Sequence, residues 1–289
     1  MMNVTKLAGL LVLAASTLGL AADMRPAPAP GVPKLSKVMV IIFENADYQA
    51  ALAQPFFKKL ADGGALLSNL FAETHPSQPN YIALVAGDTL GVRNDAPVDL
   101  DARHLGDLLE EKGLSWKVYA EGYPGHCFAG ATSGNYARKH VPFVSFRNVQ
   151  DNPDRCARIV DASAFARDMA AGQLPDFSLY IPDIKNDGHD TGVAYADQWL
   201  ARTFGPLLKD SRFTDGMTLI LTFDEGSNHG TNQIYGAIYG SAVKPQSTFS
   251  GRADHYSLLR TLELGFGLTD LGKQDAAATP ITGIWTAAP

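Results

Sequence analysis

The sequence predicts an α/β fold, a doubly wound, mostly parallel sheet with helices on both faces. Three observations predict it. Four short apolar runs, rich in β-branched and aromatic residues, read as strands covered on both sides. Helical patterns alternate with them at separations suited to right-handed βαβ units. The length, 289 residues, fits one large α/β domain.

The elements follow in chain order. Lys6 precedes the apolar run Leu7 to Leu20, and Ala21 and Ala22 close it, which is the layout of a secretory signal over residues 1–22. That run is short for a membrane span. The expectation is therefore an exported protein, periplasmic or extracellular, with no stable membrane anchor. Residues 23–36, with prolines at 26, 28, 30 and 33, read as an extended linker. A single domain is expected over 37–289. Its strands are read at Lys37–Phe43, Trp116–Ala120, Phe177–Ile181 and Met217–Phe223, with a fifth candidate at Gln233–Tyr239. Helices are read at Tyr81–Ala86, at His104–Lys112 (ended by Gly113), at Ala162–Ala171, at Val193–Leu208 and at Tyr256–Leu264.

Composition limits the function. The formal net charge is −6, so no general basic field exists to hold nucleic acid. Phosphate would need a local cation, either a metal or clustered histidines. The two cysteines, Cys127 and Cys156, are read as one disulfide in an exported protein. It would close a loop of about 30 residues, for roughly 3–4 kcal/mol in the chain-entropy model.

In open parallel sheets the ligand crevice lies beyond the carboxyl ends of the strands. Glu44 and Asn45 follow the first strand, Asp183, Asp187 and His189 follow the third, and Asp224 and Glu225 follow the fourth. Carboxylates gathered there repel one another unless a cation neutralises them. His75-Pro-Ser-Gln-Pro-Asn-Tyr81 is the other informative stretch. Pro79 marks a helix start, so Ser77 sits where backbone N–H groups and the helix dipole favour an anion. From these residues alone Ser77 is either a nucleophile needing activation or a plain helix cap. Asp183 to Gly192 is likewise either a metal loop or a tight turn, and His255, after Asp254, either a ligand or a cap. No Gly-x-Ser-x-Gly elbow is present, which counts against an acyl hydrolase; no Walker A stretch, dinucleotide fingerprint or His-Glu-x-x-His occurs either.

Phe43-Glu44-Asn45, His75 to Tyr81, Pro182-Asp183 with Gly188-His189, Phe223-Asp224-Glu225-Gly226 and His255 to Glu263 follow one another in order. Together they resemble the phosphoesterase family that joins bacterial and fungal acid phosphatases with phosphatidylcholine-cleaving phospholipases C, within the alkaline-phosphatase-like superfamily. The resemblance spans residues 37 to about 285. It implies that Glu44, Asn45, Asp224 and Glu225 ligate a metal and that Ser77 is the nucleophile touching it. It also implies that Asn80 and His75 face phosphate, and that His189 and His255 face phosphate or the leaving group. Superfamily members with two metals carry Asp-His where this chain has Asp224-Glu225. One hard ion, Ca²⁺, Mg²⁺ or Mn²⁺ rather than Zn²⁺, is therefore expected. Asp183 and Asp187 are left to support the histidines or a second ion. The chain ends at Pro289, without the further domains of the larger phospholipases, so it resembles the compact acid-phosphatase branch. The expected reaction is hydrolysis of small phosphate monoesters through a phosphoserine. The alternatives are a phosphodiesterase or phospholipase C using the same site, and a non-enzymatic periplasmic protein binding phosphate or metal. Oligomeric state is not legible.

Overall fold

The computed structural model describes residues 31–227 and 230–286, together with Met1. The expected signal segment and most of the expected linker lie outside the described residues, as does His229.

Eight strands form one sheet: β1 (Lys37–Phe43), β2 (Ala65–Leu67), β3 (Trp116–Ala120), β4 (Ile159–Asp161), β5 (Phe177–Ile181), β6 (Met217–Phe223), β7 (Gly236–Gly240) and β8 (Ser247–Phe249). Their order is β8-β2-β7-β6-β1-β5-β3-β4. β6, β1, β5, β3 and β4 run parallel, and β7 is antiparallel to both its neighbours. All seven residues of β6 and all but Lys37 of β1 are buried, as expected for central strands covered on both faces. β1 lies between β5 and β6, so the chain leaves it in one direction and returns on the other, which makes a crevice at its carboxyl end.

The four clearest expected strands have the bounds read from the sequence. The fifth divides. Gln233–Ile234 pairs with Leu70–Phe71 in a separate ribbon, and β7 begins at Gly236. Tyr235 between them sends its hydroxyl to Phe57 O at 2.7 Å. A Cβ at Gly236 would come within 2.6 Å of the Leu70 side chain and 2.9 Å of Leu67, so a larger residue there would force both leucines to shift.

Five of the helices matter for the site: α1 (Pro55–Gly63), α2 (Ser77–Ala86), α3 (Leu105–Glu111), α4 (Val193–Thr203) and α5 (His255–Phe266). Every residue of α2 is buried, polar ones included, so it is an internal helix rather than a surface one. Gly87 ends it in the left-handed conformation at φ 68°. α4 stops at Thr203 and not at the expected Leu208, because Gly205-Pro206 cannot continue it. Phe43 and Phe223, the last residues of β1 and β6, pack 5.5 Å apart, with Phe57 of α1 5.0 and 5.4 Å from them. This aromatic cluster fixes the strand ends from which the candidate site residues project. Cys127 and Cys156 are joined in a disulfide.

Candidate active site

β1 and β6 pair in register from Lys37↔Met217 to Phe43↔Phe223. The next residue on each, Glu44 and Asp224, therefore leaves the sheet beside the other. Asp224 N extends the ladder one step by donating to Phe43 O at 2.9 Å. Asn45 turns away in the left-handed region at φ 53°, a conformation Asn tolerates, and its N–H donates to Asp224 Oδ1 at 3.2 Å. The loop after β5 folds back so that Glu44 N donates to Asp187 O at 3.0 Å.

α2 delivers Ser77 into this corner. Its hydroxyl is buried, 3.3 Å from Glu44 Oε2 and 3.3 Å from Glu225 Oε1. One hydroxyl proton can serve only one carboxylate at a time. Glu225 also meets His75 Nδ1 through its other oxygen, and the His75 side chain is 34% exposed. Six expected site residues, Glu44, Asn45, His75, Ser77, Asp224 and Glu225, thus form one connected group.

The other expected residues divide. His189 reaches the rim: its ring is 39% exposed, with Nε2 3.9 Å from Glu44 Oε2 and Nδ1 2.8 Å from Asp190 Oδ1. Asp187 accepts from His189 N at 2.8 Å. Asp183 caps its own loop, accepting from the N–H groups of Lys185 and Asn186 at 3.0 Å, and takes a bond from Asn135 Nδ2. Asn80 and His255 bond to the protein's own backbone in this structure. The Asn80 amide does not face an open site. Its oxygen accepts from the N–H groups of Glu73 and Thr74, and its nitrogen donates to Thr74 O and Pro76 O, so all four bonds brace the turn before α2. His255 is buried, and its Nε2 lies 3.1 Å from Phe223 O. That carbonyl places the ring proton on Nε2, and burial holds the pKa below the usual histidine value. A neutral ring there brings no positive charge to a phosphate.

His140 belongs to the group and was not among the expected residues. It ends a short helical turn, Arg138–His140, and its buried ring bridges Glu44 Oε1 and Asp187 Oδ2, the latter at 3.3 Å. Tyr81 of α2 stacks on it at 5.1 Å and 14°. No motif surrounds His140 in the sequence. The only cue is an imidazole set directly before the apolar stretch Val141-Pro-Phe-Val144, where a free histidine would be poorly solvated.

The electrostatics follow from burial and crowding. Burial, then the charges of Glu44 and Glu225, holds Asp224 well above the usual carboxylate range, although His140 opposes this. Burial also raises Glu225, against the pull of His75. Burial is the largest influence on Glu44 and pushes it up, but the charge and hydrogen bond of His140 together with the charges of Lys139 and His189 outweigh it, and Glu44 is lowered. His140, despite its burial, is raised to about 10 by Glu44 and Asp187.

Four carboxyl groups, Glu44, Asp187, Asp224 and Glu225, stand against the His140 imidazolium, so full ionisation would leave excess negative charge in a buried corner. Asp224 Oδ2 is buried with no hydrogen-bond partner among the described residues. The head of the Asn45 amide lies 3.3 Å from both Asp224 Oδ1 and Glu225 Oε1. With its nitrogen forward it donates to both, and with its oxygen forward it adds another oxygen to the same point. Among the described residues no three His, Cys, Asp or Glu side chains by themselves make a metal-holding group. The converging set is mixed instead, with three carboxylates, one amide and one hydroxyl. An all-oxygen set with uncompensated charge fits a hard divalent cation.

The sequence profile of the Phosphoesterase family matches residues 44–269. An acid phosphatase of Aspergillus fumigatus is 35% identical over 250 residues, which cover 81% of this chain and 56% of that protein. The chain thus spans a little over half the length of that fungal relative. A phosphatidylinositol-3-phosphatase of Mycobacterium tuberculosis is 37% identical over 262 residues, covering 89% of this chain and 85% of its own. Among solved structures, a protein of the alkaline phosphatase superfamily from Vibrio parahaemolyticus superposes with a TM-score of 0.62 at 14% identity, over 86% of this chain and 71% of the other. That likeness concerns the fold.

Proposed function

The chain belongs to the Phosphoesterase family, and from that premise we propose that it is a metal-dependent phosphatase that hydrolyses phosphate monoesters through a phosphoserine at Ser77. One observation carries the reading. A buried serine hydroxyl stands at the N-terminus of an internal helix, 3.3 Å from two carboxylates that leave different strands of the sheet. A hydroxyl so placed has proton acceptors at hand and a helix dipole aimed at an incoming anion. The names of the fungal and mycobacterial relatives, both phosphatases, support the same reading.

Glu44, Asn45, Ser77, Asp224 and Glu225 would hold the metal, with Ca²⁺, Mg²⁺ or Mn²⁺ better suited to these oxygens than Zn²⁺. When bound, such an ion neutralises phosphoryl oxygens and favours the serine alkoxide. The protein's groups do the rest. The amide N–H groups at the start of α2 orient the phosphoryl group. Ser77 Oγ attacks phosphorus in line; the Oγ–P bond forms as the bond to the alcohol oxygen breaks, and the serine proton passes to Glu44 or Glu225. The exposed His189 ring returns a proton to the departing alkoxide. Water then attacks the phosphoserine and gives one proton to the His189 ring, which restores it; the Oγ–P bond breaks, and Ser77 takes back the proton held by Glu44 or Glu225 as inorganic phosphate leaves. His140 acts through Glu44, holding that carboxylate ionised and in place.

Export is part of the proposal. The Cys127–Cys156 disulfide suits an oxidising compartment, and no helix among the described residues is long and apolar enough to cross a membrane. The test is turnover of p-nitrophenyl phosphate, its bis-ester and phosphatidylcholine, beside elemental analysis of the purified protein. The expected result is a monoester preference with a stoichiometric divalent metal. Faster turnover of the diester or of phosphatidylcholine would replace this reading with a diesterase.

A further inference from the structure

A cavity of about 440 Å³ opens beside the candidate active site, within the size range of small-ligand sites. Its walls come from three elements: Glu73 and His75 before α2, Thr89 and Arg93 in the loop after it, and Tyr256 in the first turn of α5. His75 joins the cavity to the reaction centre, because its Nδ1 meets Glu225, which lies 3.3 Å from Ser77 Oγ. A monoester with its phosphorus at Ser77 has to place its alcohol portion somewhere, and this space is next to it.

The wall chemistry restricts what fits. Val92 is the one aliphatic lining residue. The guanidinium of Arg93 only donates, while the hydroxyls of Thr89 and Tyr256 and the Glu73 carboxyl, raised to about 8 by burial and the charge of Asp254, both donate and accept. Glu73 is itself anchored, with Oε1 accepting from His255 N at 2.9 Å. An alkyl chain would bury none of these groups favourably. A second anion would face Glu73 and, around Tyr256, Asp88 and Asp254. A cationic head would face Arg93. A neutral polyhydroxylated group offers donors and acceptors on every side, and the Tyr256 ring offers it an apolar face.

Building on the phosphatase reading, we propose that this cavity is a leaving-group subsite for neutral polyols, such as a sugar or glycerol, and that Arg93 and Tyr256 are its specificity-determining residues. The test compares glucose 6-phosphate, n-hexyl phosphate and p-nitrophenyl phosphate with the wild type, Arg93→Ala, Thr89→Val and Tyr256→Phe. The expected result is a wild-type kcat/KM higher for glucose 6-phosphate than for n-hexyl phosphate. Arg93→Ala should lower the sugar-phosphate value at least about tenfold, mainly through KM, because a charged hydrogen bond is lost. The two esters without hydroxyls should fall by less than about threefold, since they lack the partner. Thr89→Val and Tyr256→Phe should move the same ratio in the same direction by smaller factors. A fall of equal size for all three substrates would overturn the proposal and place Arg93 on the phosphoryl group. No fall for any of them would show the cavity is unused. A wild type that fails even on p-nitrophenyl phosphate removes the phosphatase reading and this proposal with it, a result distinct from the other two.

Discussion

His140 Nε2 and Glu44 Oε1 form an ion pair in which neither side chain is more than 1% exposed. The pair couples a short turn to the end of the central strand β1, and it sits one residue before the turn at Asn45. Because both charges are buried, each depends on the other.

Removing that histidine should therefore be costly. His140→Ala is expected to destabilise the chelator-treated protein by about 3–5 kcal/mol, the usual loss when a buried charge is left unpaired. Urea unfolding at neutral pH measures it. A loss below about 1 kcal/mol, the level of an exposed ion pair, would mean that Glu44 is held by other groups.

Glu263 gives a pH dependence away from the reaction centre. Burial, then the charge of Asp275, raises its pKa from 4.5 to about 9, against the pull of Arg260 at 3.1 Å. A folded value above the unfolded one means that the fold binds the proton more tightly. Its contribution is fully present below about 4.5 and is lost as pH rises through about 9. Stability should fall across that window by up to about 1.4 kcal/mol per pH unit. Glu263→Gln should flatten the fall, read as thermal midpoints at pH 5, 7 and 9. A mutant with the wild-type slope would contradict it.

Asn80 should behave as a brace. Its four bonds to the turn before α2 are worth about 0.5–1.5 kcal/mol each. Asn80→Ala is expected to lose about 2–4 kcal/mol of stability. It should also lower kcat by misplacing Ser77, with inorganic phosphate inhibiting it nearly as well as the wild type. A stable variant that had lost only phosphate affinity would return Asn80 to direct contact with the ligand.

Chelation should abolish turnover, and Ca²⁺, Mg²⁺ or Mn²⁺ should restore it better than Zn²⁺, because the converging donors are oxygens. The same ions should raise the thermal midpoint by neutralising Glu44, Asp224 and Glu225. Full activity after exhaustive chelation, with metal verified absent, would rule the ion out.

Much of this was legible in the sequence, for physical reasons. β1 and β6 are nearly continuous apolar runs, so their ends could be placed to the residue, and with them Glu44 and Asp224. The three-residue strands β2, β4 and β8 carry too few positions to show a period. α2 reads as helix-compatible from Tyr81 onward, but its polar first turn is buried by tertiary packing that no pattern announces. His255 and Asn80 suggested chemistry by residue type, but the carbonyl of Phe223, distant in sequence, occupies the one and the backbone of the adjoining turn occupies the other. His140 lay outside every motif, and only the fold brings it to Glu44.

The most direct test of the central claim is an acid quench during turnover of a phosphorus-labelled monoester, with peptide mapping of the trapped label, run on the wild type and on Ser77→Ala. Label is expected on the peptide containing Ser77 in the wild type and on no peptide in the variant. The variant should stay folded, since a helix-start hydroxyl contributes only about 1 kcal/mol, while kcat falls by several orders of magnitude. A folded Ser77→Ala protein that turns over within about tenfold of the wild type, with no label trapped in either, would contradict the account and leave direct attack by water in its place.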